Sequence, residues 1–377
     1  MIPFDGKHPV KLPDATQDDV LRTVAKLDDG QDWPTKLEQA GANTATCFEG
    51  FHALPRQDMR NWSVQGVSFR DAVLVQVVMS TAQRDLIART HPARLEPILL
   101  DPRPPHADDF EEARLRIAEA KTVGLRKLDL FFLSIDRLPE EIAGLTALQE
   151  LNLDGTQVTD LAPLAGLTAL QELNLNGTQV TDLAPLAGLT ALQTLRLDRT
   201  QVTDLAPLAG LTALQTLDLD GTQVTDLAPL AGLTALQTLL LDRTQVTDLA
   251  PLAGLTALQT LRLFGTHVAD LAPLAGLTAL QTLWLFGTHV ADLAPLAGLT
   301  ALQELNLNGT QVTDLAPLAG LTALQTLRLD RTQVTDLAPL AGLTALQTLE
   351  ISGTQIHDVS VLSHLTKLRI YYGSGNT

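Results

Sequence analysis

The sequence is poor in aromatic residues and cysteine, and its most regular part has no lysine at all. Aromatics make up 4% of the 377 residues. A core must therefore be filled by Leu, Val and Ala, which the 45% hydrophobic content supplies, and that content excludes a disordered chain. The single cysteine, Cys47, excludes an internal disulfide framework and a Cys-based zinc site. No run reaches the roughly 18 apolar residues of a membrane span. Met1-Ile-Pro-Phe-Asp-Gly-Lys7 carries an acid and a glycine where a secretion signal needs an apolar stretch. These absences read as a cytoplasmic protein, and delivery into a host cell by a route that needs no apolar signal stays compatible with them. Acids outnumber bases 43 to 26, a net charge of −17, which argues against general binding to nucleic acid or to an anionic membrane. No phosphate-binding G-x-x-x-x-G-K-[ST] occurs, and no cofactor is implied.

What is present in abundance is repetition. Leu-Thr-Ala-Leu-Gln starts at 145, 167, 189, 211, 233, 255, 277, 299, 321 and 343, always 22 residues apart. Nine regular units fill 145–342 and read L-T-A-L-Q-x-L-x-L-x-x-T-x-V-x-D-L-A-P-L-A-G. A longer unit, 122–144, precedes them; a degenerate unit, 343–364, and a partial one, 365–377, follow. In the unit Leu145–Gly166, Leu151 and Leu153 alternate with Glu150, Asn152 and Asp154, the period-2 mark of a short strand with one buried face. Val158 returns to the core. Asp160 stands ahead of Leu161-Ala-Pro-Leu164, as a cap leading into a tight, 3₁₀-like turn. The same uniform position makes capping, rather than a calcium ladder, the reading of all ten such aspartates. One unit cannot bury its leucines alone, so units must stack and lay their strands parallel in one long sheet.

The pattern L-x-x-L-x-L-x-x-T-x-V-x-D-L-x-P-L resembles the 22-residue leucine-rich repeat of internalin-like proteins over about 145–370. The stretch Glu111 to Lys121, with Leu128-Asp-Leu130 and Leu138-Pro-Glu-Glu-Ile142, resembles the entry into bacterial Roco-type repeat arrays, here without a GTPase domain. The resemblance implies an α/β leucine-rich repeat solenoid. Its curved parallel sheet lies on the concave face, short 3₁₀ or irregular turns lie on the convex face, and a small mixed or mainly helical domain precedes it. It also implies a non-catalytic module that binds a protein partner on the concave face. The family's usual Asn after the strand is replaced by Thr, from Thr156 to Thr354; a hydroxyl has one donor where an amide has two, so a thinner ladder of bonds to buried carbonyls is expected.

Near-identical units make their differences informative. Departures fall at the sixth, eighth, tenth, eleventh, thirteenth and fifteenth positions, of which the sixth, eighth and tenth face outward on the strand. All six bases of 145–342 are arginines at the eighth or eleventh position: Arg196, Arg199, Arg243, Arg262, Arg328 and Arg331. The aromatics there are Phe264, Trp284 and Phe286, with His267 and His289 beside them. Arg and Trp are enriched at binding hot spots, and exposed aromatics on a sheet are a liability without a partner. Arg262, Phe264, Trp284 and Phe286 are therefore expected to form one exposed patch. Two histidines in neighbouring coils lack a third ligand, so no metal is assigned to them.

Residues 1–107 differ in composition, holding all three Met and the only Cys, and read as a separate domain of unknown function. Thr16-Gln-Asp-Asp19 opens an amphipathic helix, Ala72 to Met79 is a strand or a buried helix, and Asp101-Pro-Arg-Pro-Pro105 is a linker. Residues 108–121 are a capping helix, with Asp109 and Glu112 as caps and with Glu111, Glu112 and Glu119 on a solvated face; 122–377 is the repeat domain. Cys47 with His52 or His91 supplies the alternative reading, an effector whose amino-terminal domain is catalytic or toxin-like and whose repeats select the target.

Overall fold

The computed structural model describes residues 109–372 in full. In the segment before them it describes the backbone of five short strands: β1 (Leu54–Pro55), β2 (Val73–Val75), β3 (Val78–Ser80), β4 (Arg94–Glu96) and β5 (Leu99–Asp101). The chain divides into two compact units, 1–108 and 109–377. In the first, β1, β2 and β4 form one parallel sheet and β3 pairs with β5 in another. The ambiguous run around residue 75 is thus strand. The helix read from Thr16, the linker after Asp101 and the Cys47, His52 and His91 set lie outside the described residues.

The second unit opens with helix α1 (Asp109–Val123), whose acids gather in the first turn and whose Lys121 lies in the last, each at the favoured end of the macrodipole. Ala113, Ile117 and Ala120 are buried against the first coil. Two of the anticipated caps act differently. Asp109 Oδ2 accepts the Ser134 peptide N–H at 2.7 Å, pinning the helix to the coil beyond it. Glu112, expected on a solvated face, is buried and ion-paired with Arg116, which also donates to the Asp129 carbonyl at 3.0 Å. A buried carboxylate needs such a partner.

Twelve parallel strands follow in one sheet, each paired with its sequence neighbours. They are β6 (Lys127–Asp129), β7 (Glu150–Asn152), β8 (Glu172–Asn174), β9 (Thr194–Arg196), β10 (Thr216–Asp218) and β11 (Thr238–Leu240). Then come β12 (Thr260–Arg262), β13 (Thr282–Trp284), β14 (Glu304–Asn306), β15 (Thr326–Arg328), β16 (Thr348–Glu350) and β17 (Arg369–Tyr371). Equivalent positions pair directly, as in Leu239 with Leu261, so every repeat position becomes a straight row along the sheet. The repeated Leu and Val positions turn inward and join one continuous core with α1 at its start. Each coil lies on the core of the one before it, the condition for a solenoid to be stable.

Two side-chain bonds recur in each of the ten 22-residue coils. The capping aspartate accepts the N–H two residues on at 2.8 Å, from Asp160 with Ala162 to Asp358 with Ser360. It thus sits one residue farther out than a helix N-cap and forms an Asx turn that feeds the 3₁₀ turn, as in Ala162–Leu164. The buried threonine donates to the carbonyl three residues back, as Thr156 does to Leu153 at 2.8 Å. That bond closes a turn within one coil, so threonine builds no ladder between coils.

In the ten 22-residue coils the chain leaves the strand through a left-handed residue at the eleventh position, and Phe132 (φ 53°) takes the corresponding place after β6. Glycine fills it in seven coils, for example Gly221 at φ 68°, and arginine fills it in three: Arg199 (56°), Arg243 (59°) and Arg331 (57°). Only glycine enters that region without steric cost. Each arginine lies over the glycine of the next coil; a Cβ on Gly221, Gly265 or Gly353 would meet Arg199, Arg243 or Arg331 Cγ at 3.6, 3.8 or 3.4 Å.

Candidate functional site

The face carrying the variable residues is organised by hydrogen bonds to the tenth-position peptide N–H. Where the eighth residue is Asn or Asp, its own side chain accepts that N–H: Asn152 from Asp154, Asn174 from Asn176, Asp218 from Asp220 and Asn306 from Asn308, at 3.0–3.1 Å. Where the eighth residue is Arg, Leu or Glu, the tenth side chain of the preceding coil does so. Asn176 accepts from Asp198, Asp220 from Asp242, Asp242 from Phe264, Asn308 from Asp330 and Asp330 from Ser352, at 2.7–2.9 Å. The ladder between coils that threonine does not provide is built here. Between Asp154 and Ser352 one tenth-position N–H has no such acceptor, that of Phe286, because Trp284 and Phe264 occupy both supplying positions.

Around that break the aromatics and arginines converge. Arg262 Cζ lies 4.5 Å from the Trp284 ring centroid and Arg328 Cζ lies 6.0 Å from it, bringing two guanidiniums to one indole. Arg262 pairs with Asp242 and, at 3.7 Å, with Asp220. Arg328 bridges Glu304 at 2.8 Å and Glu350 at 3.1 Å. Phe264 and Phe286 stack at 4.7 Å with planes 6° apart, and Arg243 caps Phe264 at 5.2 Å. Trp284 Nε1 and Arg262 Nε are buried without a hydrogen-bond partner among the described residues.

The four residues read as one exposed patch do come together, but only Phe286 is exposed, at 37%; Arg262, Phe264 and Trp284 are half-buried. Mutual stacking and the carboxylates beneath take the exposure away. Arg196, Arg199, Arg243 and Arg331 are exposed, and Arg328 is half-buried. His267 and His289 form a second stack at 5.6 Å, and among the described residues no three His, Cys, Asp or Glu side chains gather as metal ligands.

Beside the aromatics lies a depression of about 410 Å³ lined by Asp198, Asp218, Asp220, Asp242, Arg199 and Arg243, among others. Burial, reinforced by Asp242 and Asp218, pushes the Asp220 carboxyl up to about 7, and burial also raises Asp218. These aspartates carried no individual signal in the sequence. What could have exposed them is the complementarity between the eighth residue of one coil and the tenth of the coil before.

A family model for leucine-rich repeats matches residues 168–210, 212–254 and 300–342. A solved internalin from Listeria monocytogenes is 33% identical, covers 71% of this chain and 81% of its own, and superposes with a TM-score of 0.67. The chain belongs to the leucine-rich repeat family. A leucine-rich repeat protein of Leptospira interrogans shares the fold at 21% identity, covering 89% of this chain and 98% of its own with a TM-score of 0.62. So does an Arabidopsis receptor kinase ectodomain in complex with a peptide hormone, at 19% identity, 66% and 46% coverage and a TM-score of 0.55. The comparison with curated proteins finds no match. Leucine-rich repeat domains are in general protein-binding modules. Among the described residues no helix is long and apolar enough to cross a membrane.

Proposed function

We propose that this chain is a non-catalytic interaction module whose concave face binds a protein partner, centred on Trp284. Arg262, Phe264, Phe286, His267 and His289 surround the centre, and Arg196, Arg199, Arg243, Arg328 and Arg331 extend it along the sheet. The observation that carries the reading is the Trp284 cluster itself. It sits on the face that no core requires, and it interrupts a hydrogen-bond ladder that is otherwise continuous along the regular coils. A local rule given up in favour of solvent-facing aromatics points to function. The arginines at left-handed positions point the same way, since backbone strain concentrates at functional sites. Affinity capture with wild type beside Trp284→Ala and Arg262→Ala tests the reading. Loss of a partner in both variants is expected; full retention of every partner by both removes the proposed face.

A further inference from the structure

Resting on that reading, we propose that the partner docks an extended acidic segment along the rim of this face, with carboxylates reaching Arg199 and Arg243 and a further acceptor reaching the Phe286 peptide N–H.

The depth of the charges carries the argument. The acids form the floor: the side chains of Asp242, Asp220 and Asp198 are 5%, 20% and 28% exposed. Their work is internal. Asp242 and Asp220 accept peptide N–H groups and hold Arg262. Arg199 stands above them at 77% exposure, with only a 3.7 Å approach to Asp198. Arg243 is exposed, rests on Phe264 and has no ion pair among the described residues. A partner approaching this stretch meets guanidiniums first, although the chain as a whole is acidic. Guanidinium forks match carboxylates.

The second observation is independent of charge. Among the described residues three donors at the centre lack an acceptor: the Phe286 N–H and, buried beneath, Trp284 Nε1 and Arg262 Nε. A partner that supplies an acceptor at the Phe286 N–H completes the ladder there, and one that supplies ammonium groups leaves it open.

Spacing fixes the segment. Arg199 and Arg243 are two coils apart, and Phe286 lies two coils beyond Arg243, so each step is about 10 Å at roughly 4.8 Å per strand. Three residues of an extended chain, at about 3.3 Å each, cover one step. Gly221 leaves the interval between the arginines low, and the 410 Å³ depression lies there.

The test uses the full chain labelled with fluorotryptophan, whose three tryptophans, Trp33, Trp62 and Trp284, give separable fluorine NMR signals, the last assigned with Trp284→Phe. The probes are a twelve-residue peptide with Glu at every third position and uncharged residues between, and its Gln and Lys counterparts. The Glu peptide is expected to shift the Trp284 signal saturably below about 1 mM and to weaken about tenfold or more in Arg199→Gly/Arg243→Gly. Glycine is the residue that other coils carry there, so the double variant keeps the fold. Equal or tighter binding of the Lys peptide at Trp284 overturns the acidic partner while leaving the binding face intact. Unchanged binding of the Glu peptide to the glycine variant, equal binding of the Gln peptide, or no response to any probe also overturns it.

Discussion

Asp242 Oδ1 accepts the Phe264 peptide N–H one coil on at 2.8 Å, and its other oxygen holds the guanidinium of Arg262. One buried carboxylate therefore supports both the backbone ladder and the cation that covers Trp284. Asn at this position preserves the first role, as Asn176 and Asn308 do in their own coils, but not the ion pair. We predict that Asp242→Asn costs about 1 kcal/mol and Asp242→Ala about 2–4 kcal/mol, because alanine leaves the N–H without a partner and a half-buried guanidinium with only the 3.7 Å approach of Asp220. Chemical unfolding followed by circular dichroism ranks the two; equal losses contradict the double role.

The fold was legible in the sequence because it follows from seven apolar positions repeated at a fixed period, and any in-register stack of such units buries them. The site was legible only in part. The outward positions of Arg262, Phe264, Trp284 and Phe286 followed from strand alternation, but their mutual cover did not, since it depends on side chains of successive coils leaning over one another. The left-handed backbone of Arg199, Arg243 and Arg331 was present as an alternation of Asp-Gly-Thr with Asp-Arg-Thr. Its meaning needed the dihedral angles. The roles of Asp220 and Asp242 depend on whether the next coil's eighth residue can accept a bond, a relation across 20 or more residues that no local pattern carries.

Arg331 offers the cleanest measure of the left-handed strain, having neither an ion pair nor a ring contact among the described residues. Relief of the Cβ clash favours glycine by about 1–2 kcal/mol, and the greater freedom of glycine in the unfolded chain returns part of that. Arg331→Gly is expected to raise stability by about 0.5–1 kcal/mol, while Arg331→Ala, which keeps the Cβ, gains nothing. A stabilising alanine and a neutral glycine would show that side-chain interactions rather than backbone strain set the balance at this turn.

Asp220, with its carboxyl pushed up to about 7, gives a pH dependence of definite sign. The folded state holds this proton more tightly than the unfolded chain, whose aspartate titrates near pH ~3.9. Its contribution is therefore full below about pH 4 and is lost as pH rises to about 7. Asp220→Asn keeps the bond from the Asp242 N–H and does not titrate. The variant should be more stable than wild type above about pH 7, by on the order of 1–2 kcal/mol after allowing for solvent access, with the difference shrinking toward pH 4. Thermal melts of both proteins across that range measure it, and a gap that widens on acidification contradicts the assignment.

Trp284 separates stability from recognition. Asn at this position supplies the missing acceptor for the Phe286 N–H from within the same coil, as Asn306 does for Asn308 at 3.0 Å. Both Trp284→Asn and Trp284→Ala remove the indole that lies beside Arg262 and Arg328. They differ in whether the orphaned peptide is satisfied, a difference of about 1 kcal/mol in favour of asparagine. Amide exchange at Phe286 should slow in Trp284→Asn alone, since only that variant ties down the N–H. Partner binding should fall in both variants, because the surface that asparagine repairs for the fold is the one the indole keeps open for a ligand. That pairing of gained protection with lost binding is the expected mark of a residue kept for recognition at the expense of the ladder. A Phe286 amide that exchanges equally fast in both variants means that the break in the ladder does not matter to the solenoid and that Trp284 is not kept at its expense.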